Sequence, residues 1–113
     1  YMETRHIGNQ VRVMIHDALD AFARLDVDQA LRVLLADADI DREYQSATRT
    51  LMTYMIEDPR HISRVINVMW VLRSLERIGD HARNISEQVI YMVKGLDVRH
   101  TSMEEIEQKV QER

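Results

Sequence analysis

Apolar residues recur every three or four positions along most of the chain, which is the spacing of one face of an α-helix. Three segments keep this period: residues 3–24, 29–57 and 61–94. Asp28 at the first break is a predicted N-cap, and Asp58-Pro59 at the second predicts a helix end followed by a new start. Because both breaks are short, the sequence predicts an all-α fold, an up-down-up three-helix bundle.

Each predicted helix carries an apolar stripe that should face the core. On the first helix the stripe is Ile7, Val11, Met14, Ile15, Ala18, Phe22 and Leu25. On the third helix it is Ile62, Val65, Ile66, Met69, Leu72, Leu75, Ala82, Ile85, Val89 and Val93. On the second helix the apolar rows include Leu31, Leu34, Leu35, Ala38, Leu51, Met52, Met55 and Ile56. Trp70 lies near the stripe of the third helix, so we expect it in the core or at an interface.

The bundle is predicted to occupy residues 1–100, and residues 101–113 form a short charged C-terminal tail, TSMEEIEQKVQER. The favoured interpretation of this tail is a solvated or frayed terminus. A short helix is the alternative.

The composition narrows the class of protein. A chain of 113 residues suits one domain, and three Gly and one Pro leave little material for the turns of an all-β fold. The net charge of −4 argues against direct nucleic-acid binding, which normally requires a basic face. The absence of cysteine excludes disulfides and thiolate metal sites and is compatible with a cytoplasmic location. No apolar run approaches the roughly 18 residues of a membrane span.

Candidate chemistry lies in two pairs of acids, each pair four residues apart. Glu76 and Asp80 lie on the third helix, and Asp37 and Asp41 lie on the second. Residues at this spacing share a helix face, with about 6 Å between them. Counted from the turn at Asp58-Pro59, the two pairs are equidistant. An antiparallel hairpin should therefore bring Asp41 beside Glu76 and Asp37 beside Asp80.

The neighbours of each pair predict how deep it lies. On the second helix the acid row continues through Leu34 and Tyr44, so it should border the core. On the third helix the row continues through Arg73, Asn84 and Glu87, so it should border solvent. The expected site is thus a groove or an edge and not a sealed interior.

Four neighbouring carboxylates oppose one another's ionisation. Protonation, a bound metal or arginines relieve this repulsion, and the arginines at hand are Arg42, Arg73, Arg77 and Arg83. Oxygen-rich sites suit hard or borderline cations, and Asn84 adds a carbonyl oxygen. We therefore predict metal ligands at Asp37, Asp41, Glu76, Asp80 and Asn84. The alternative is a solvated set of acids paired with arginine. Gly79, which costs about 1 kcal/mol in a helix relative to Ala, is expected to allow a close helix approach.

The stretch LERIGDHARNISEQVIYMVKGLDVRH, at residues 75–100, resembles the PhoU family of phosphate-signalling regulators. GNQVRVMIHDALDAFARLD, DADID and LMTYMIED resemble the same family. The resemblance implies two three-helix repeats whose acidic motifs hold a multinuclear iron or zinc cluster, here on Glu76 and Asp80 and on Asp37 and Asp41. This chain has a single repeat, most like the C-terminal half. We expect that an upstream repeat was removed, or that two copies pair as a homo-oligomer such as a dimer.

The resemblance also implies a role. PhoU-like proteins are negative regulators of phosphate-starvation signalling that link a phosphate ABC transporter ATPase to a sensor histidine kinase. They are adaptors and not enzymes, and they use no organic cofactor. Their effect on transcription is indirect, and they associate with a membrane complex only through partners.

Two other functions remain open from the residues. A carboxylate-bridged metalloenzyme of the ferritin-like sort uses Glu-x-x-His motifs facing inward, and the two acidic motifs contain none. A histidine phosphotransfer bundle requires an exposed histidine on a helix, for which His16 and His81 are the candidates.

Overall fold

The protein is a rod of antiparallel helices, 55 Å in its longest dimension. The computed structural model describes residues 2–99 and 101–112. Its helices are α1 (Met2–Arg24), α2 (Val27–Glu57), α3 (Ile62–Lys94) and α4 (Met103–Glu112), with a 3-10 turn at Pro59–His61 before α3. The predicted all-α, up-down-up bundle is confirmed by α1, α2 and α3. Tyr1, His100 and Arg113, on which the predicted bounds of bundle and tail fall, lie outside the described residues.

The turn between α1 and α2 is capped by a different aspartate from the one predicted. Leu25 adopts a left-handed conformation with φ 53°, which reverses the chain at the end of α1. The Asp26 carboxylate then accepts a hydrogen bond from the Gln29 backbone N–H at 3.1 Å. Asp26 is therefore the N-cap, and Asp28 lies in the first turn of α2. The prediction of Asp28 was wrong by two residues.

The turn between α2 and α3 follows the prediction from Asp58-Pro59. The backbone N–H of Asp58 donates to the Tyr54 carbonyl at 3.1 Å and closes α2. The Asp58 carboxylate accepts from the Arg60 backbone N–H at 3.0 Å, and Pro59 occupies the first position of the 3-10 turn. One aspartate therefore ends one helix and starts the next, which fixes where the hairpin folds back.

The core consists of two clusters along the rod. The first joins α1, α2 and α3 through Ile7, Val11, Met14, Ala18, Val33, Ile40, Ala47, Leu51, Val65, Leu72 and Ala82. The second lies towards the α1–α2 turn and includes Ala21, Val27, Ala30, Leu34, Val89 and Ile90, together with residues of the C-terminal segment. No helix in the described part of the chain combines the length and apolar character needed to cross a membrane.

Several residues of the predicted stripes lie at the surface. The exposed ones are Phe22, Leu25, Leu35, Met52, Ile56, Ile62, Ile66 and Val93. Phe22, Ile56 and Val93 lie in the last turn of their helices, where fewer neighbours cover a side chain. Trp70 is 65% exposed, so its predicted place in the core was wrong, and its place at an interface stays a prediction.

The C-terminal segment is a packed helix and not a solvated tail. In α4, Ile106 is fully buried and Val110 is 8% exposed. Both contact the second core cluster, which the loop residues Leu96 and Val98 also join. The favoured expectation of a frayed terminus was wrong for residues 103–112. The apolar side chains of α4 pack on an apolar surface that α1, α2 and α3 form together.

Candidate functional site

The four predicted acids lie at graded depths on α2 and α3. Asp37 is buried, with 4% of its surface exposed. Glu76 is half-buried, and Asp41 and Asp80 are exposed. The group therefore extends from the interior to the surface between the two helices. Leu34 is buried and Tyr44 half-buried, which confirms that the acid row of α2 borders the core.

The electrostatics of Asp41 indicate that the four acids are neighbours. Burial raises the pKa of Asp41 above its ordinary 3.8, and the charges of Asp37, Asp80 and Glu76 raise it further, while Arg83 lowers it. Such contributions come from nearby charges, and the 3.9 Å between Oδ1 of Asp37 and a Cβ placed on Gly79 puts Asp37 at the level of Asp80. The hairpin register predicted from the Asp58-Pro59 turn therefore brings the two pairs together.

Asp37 is the only one of the four that is anchored inside the bundle by an ion pair. Nη1 of Arg83 donates to its Oδ2 at 3.0 Å. Burial raises the pKa of Asp37, the hydrogen bond and charge of Arg83 lower it, and Asp80 raises it. The net direction is upward, so the loss of hydration at this site outweighs the single arginine partner.

Arg83 also lies near a second acid that the sequence did not reveal as interior. Its Nε is 3.8 Å from Oε2 of Glu87, four residues further along α3. Glu87 is 8% exposed, so its predicted place at the solvent border was wrong. The four-residue spacing from Arg83 was the available signal, but spacing does not reveal which face of a long helix is covered.

The other three predicted arginine partners and Asn84 lie nearer the surface than Arg83. Arg42 pairs with Asp39, and Arg73 and Arg77 are exposed. Asn84 is exposed and lines an open pocket of about 300 Å³ together with Arg83, Glu87 and Arg99. Of the four predicted counter-cations, Arg83 is thus the one that reaches Asp37.

Gly79 lies at the level of the acids and is buried. A Cβ placed on it would lie 3.9 Å from Oδ1 of Asp37 and 4.0 Å from Cγ2 of Val11. These are ordinary van der Waals distances, so the packing has room for a methyl group. The expectation that Gly79 is needed for a close helix approach was therefore wrong.

The carboxylates suit a metal by type but not in their present arrangement. Clustered carboxylate oxygens are the ligands that hard cations prefer. Across residues 2–99 and 101–112, however, no three His, Asp or Glu side chains converge closely enough to hold an ion. Oδ2 of Asp37, the innermost acid, is already paired with Nη1 of Arg83.

The two histidines that were candidates for phosphotransfer lie at the surface. His16 and His81 are both exposed on their helices. Nδ1 of His16 is 3.3 Å from the carboxylate of its neighbour Asp17.

A ferritin-like centre would need its ligands to face inward, and only Asp37 of the four acids does so.

Comparison with known proteins identifies the family. A model of the PhoU domain matches residues 4–89. A phosphate-specific transport system accessory protein PhoU homolog of Pseudomonas putida is 65% identical over 111 residues. The chain belongs to the PhoU family. Within that family, the phosphate-specific transport system accessory protein PhoU of Escherichia coli strain K12 is 46% identical over 101 residues.

The likeness to PhoU extends to the fold. The crystal structure of PhoU from Pseudomonas aeruginosa superimposes with a TM-score of 0.83 at 64% sequence identity, covering 85% of this chain and 46% of that one. The match to the Pseudomonas putida protein covers 98% of this chain and 43% of that protein, and the match to the Escherichia coli protein covers 89% and 42%. The chain therefore spans less than half the length of these PhoU relatives.

Proposed function

We propose that this chain acts in an accessory protein of phosphate transport, as an adaptor that keeps phosphate-starvation signalling off. The observation that carries the proposal is 65% identity over 98% of the chain to a protein named as an accessory of the phosphate-specific transport system. The partners proposed are the ATPase of a phosphate ABC transporter and a sensor histidine kinase. The adaptor is a cytoplasmic protein without catalytic activity, and it reaches the membrane complex through these partners.

The shape of the bundle supports an adaptor. Long helices present extended faces, and helix faces are common docking elements for partner proteins. Exposed apolar residues are distributed along α3, including Ile66, Trp70 and Ile78. Such side chains gain free energy when a partner covers them.

The adaptor role is tested by direct binding. The purified chain, and a longer form where one exists, is immobilised and exposed to the cognate transporter ATPase and to the cytoplasmic part of the sensor kinase. We expect saturable binding to at least one of them. In cells that lack the protein, expression of the adaptor should also silence a reporter driven by a phosphate-starvation promoter when phosphate is plentiful. Absence of binding to either partner, together with an unsilenced reporter, would overturn the proposal.

We also propose that the acids of α2 and α3 bind a metal, with iron or zinc as the cations and a multinuclear cluster as the arrangement. The ligands would be Asp37, Asp41, Glu76 and Asp80, with Asn84 as a further oxygen donor. The pKa of Asp41 is raised first by burial and then by the charges of its acidic neighbours. The second contribution supports a metal, because a cation would relieve that repulsion. Such a metal would supply positive charge between the two helices.

The metal site is tested by titrating the protein with Zn²⁺ and Fe²⁺ and by anomalous scattering from soaked crystals. We expect Asp41→Asn, Glu76→Gln and Asp80→Asn each to weaken binding. Asp39→Asn is the matched control, because Asp39 is an exposed acid of α2 that pairs with Arg42. Equal loss of affinity in the control and the site variants would point to unspecific attraction by negative charge.

A further inference from the structure

We propose that the end of the rod at the Asp58-Pro59 turn binds the surface of anionic lipid membranes. The binding surface, here called the turn-end patch, consists of the exposed apolar residues Met52, Ile56, Ile62, Ile66 and Trp70. The arginines around this patch supply the attraction to anionic headgroups. Neither the metal site nor the adaptor role is needed for this contact, because it involves lipid alone.

The two helices of the hairpin present the patch on the side that faces away from α1. Tyr54 of α2 and Arg64 of α3 line a cavity together with Met2 of α1, so these two residues mark the side of the hairpin towards α1. Met52 and Ile56 each lie two residues from Tyr54, and Ile62 and Ile66 each lie two residues from Arg64. Because two residues turn a helix by roughly 200°, all four side chains point away from α1.

The patch is strongly exposed at the turn itself. Ile56, in the last turn of α2, is 82% exposed, and Met52 is 47% exposed. On α3, Ile62, Ile66 and Trp70 are 41%, 44% and 65% exposed. They are spaced four residues apart and therefore form one row along the helix. The apolar surface begins at the projecting end of the rod, where a flat membrane can reach it.

Positive charge surrounds the patch, although the chain as a whole carries a net charge of −4. Residues 59–75 contain three arginines, Arg60, Arg64 and Arg73, and no acid. All three are exposed, and Arg60 is paired with Asp58 at 2.9 Å. The acids Glu76 and Asp80 begin one turn beyond Arg73, so an anionic surface attracts the turn and repels the middle of the rod.

The combination of side chains favours lipid over a second copy of the chain. Apolar residues among basic ones are typical of helices that lie in the membrane interface. Tryptophan prefers that interface because its ring is apolar and its N–H is polar, and guanidinium groups bind phosphate oxygens well. In a symmetric dimer the same patch would face itself, which would bring the arginines of both copies together.

Fluorescence of the unaltered protein tests the contact directly. Trp70 is the single tryptophan of the chain, so the intrinsic emission reports on the patch alone. The protein is titrated with vesicles of phosphatidylglycerol and phosphatidylcholine in equal parts. We expect the emission to shift to the blue, and lipids with brominated acyl chains to quench it. Vesicles of phosphatidylcholine alone should bind about tenfold more weakly, and added salt should weaken binding to the anionic vesicles.

Variants with matched controls locate the surface by co-sedimentation with the same vesicles. We expect Ile66→Ser and Arg73→Gln each to weaken binding about fivefold. Leu19→Ser and Arg12→Gln, which change exposed residues of α1, should stay within about twofold. Circular dichroism confirms that each variant is folded.

A blue shift on anionic vesicles, with losses in the patch variants only, supports the turn-end patch as a membrane-binding surface. Absence of binding to anionic vesicles overturns it, as does binding that leaves the Trp70 emission unchanged or that the control variants weaken equally. A dimer without lipid that Ile66→Ser dissociates would assign the patch to a second copy instead. Each of these negative results leaves the adaptor role standing, since no protein partner is present in the vesicle experiments.

Discussion

Oδ1 of Asp37 lies 3.9 Å from the point that a Cβ would occupy on Gly79. The glycine is in the middle of α3 and is buried, yet the space in front of it accepts a methyl group. An alanine in a helix is about 1 kcal/mol more favourable than a glycine. We therefore expect Gly79→Ala to raise the free energy of unfolding by up to about 1 kcal/mol, measured by urea denaturation.

Gly8→Ala is the matched control for that substitution. Gly8 is a helical glycine of α1, and its Cβ would lie 3.8 Å from Cδ1 of Leu75. Both variants should gain stability. Should Gly79→Ala lose stability while Gly8→Ala gains it, the methyl group would be disturbing the Asp37 carboxylate, and the room inferred at Gly79 would not exist.

Because acids surround Asp41, we expect Asp41→Asn to raise the free energy of unfolding at neutral pH but not at low pH. The pKa of Asp41 is raised, first by burial and then by its acidic neighbours. The folded state thus holds this proton more tightly than the unfolded state, so the group lowers stability as the pH rises above 3.8 and through the folded pKa. We expect the variant to match the wild type near pH 3 and to exceed it at pH 7 by up to about 0.5 kcal/mol.

Chemical denaturation at several pH values, in the absence of metal, measures this difference. Asp39→Asn serves as the control on the same helix, since Asp39 is exposed and pairs with Arg42. The free energy of unfolding of Asp39→Asn should show no increase over the wild type that grows with pH. A constant difference between Asp41→Asn and the wild type from pH 3 to pH 7 would contradict the crowding of the four acids.

The start of α2 is stabilised by Asp26, whose carboxylate accepts from the backbone of Gln29. Asp26→Ala leaves that backbone N–H without its partner, and loss of such a cap costs about 1 kcal/mol. Asp28→Ala removes only an acid in the first turn, which is worth a few tenths of a kcal/mol through the helix dipole. Thermal and urea denaturation of both variants compare the two positions. A larger loss for Asp28→Ala would place the cap where the sequence alone predicts it.

The packing of α4 predicts a large effect of a single substitution near the end of the chain. Ile106 is fully buried in the second core cluster. Ile106→Ala removes three carbon atoms from a packed interior, which typically costs about 2–5 kcal/mol. Glu107→Ala changes the exposed neighbour and should stay within about 0.5 kcal/mol. Equal stability of the two variants would mean that α4 does not pack on the bundle in solution.

Local sequence signals predicted the features that depend on a few adjacent residues. The turn at Asp58-Pro59 was predictable because proline and its preceding residue have restricted backbone conformations. The register of the acids followed from that turn, since two antiparallel helices leave little freedom in height. Asp26 and Asp28 were harder to separate, because both have the same capping chemistry and lie two residues apart.

Features that depend on the whole fold were less predictable. Four arginines had the right charge to neutralise the acids, and only the packing of α3 on α2 selects Arg83. The interior position of Glu87 likewise depends on how α3 packs in the bundle, which its local sequence does not reveal. The docking of α4 depends on a surface formed by three distant segments, and a ten-residue helix is too short to be stable on its own.

The division of the core into two clusters has a consequence for how the protein fluctuates. Gly79 lies beside both Asp37 and Val11, and Val11 belongs to the cluster that α4 does not join. Transient detachment of α4 would thus loosen one end of the rod and leave the middle of the rod, where the acids lie, folded. Backbone amides around Val27 and Val89 should then exchange with deuterium sooner than those around Val11 and Leu72, so that the molecule opens from one end.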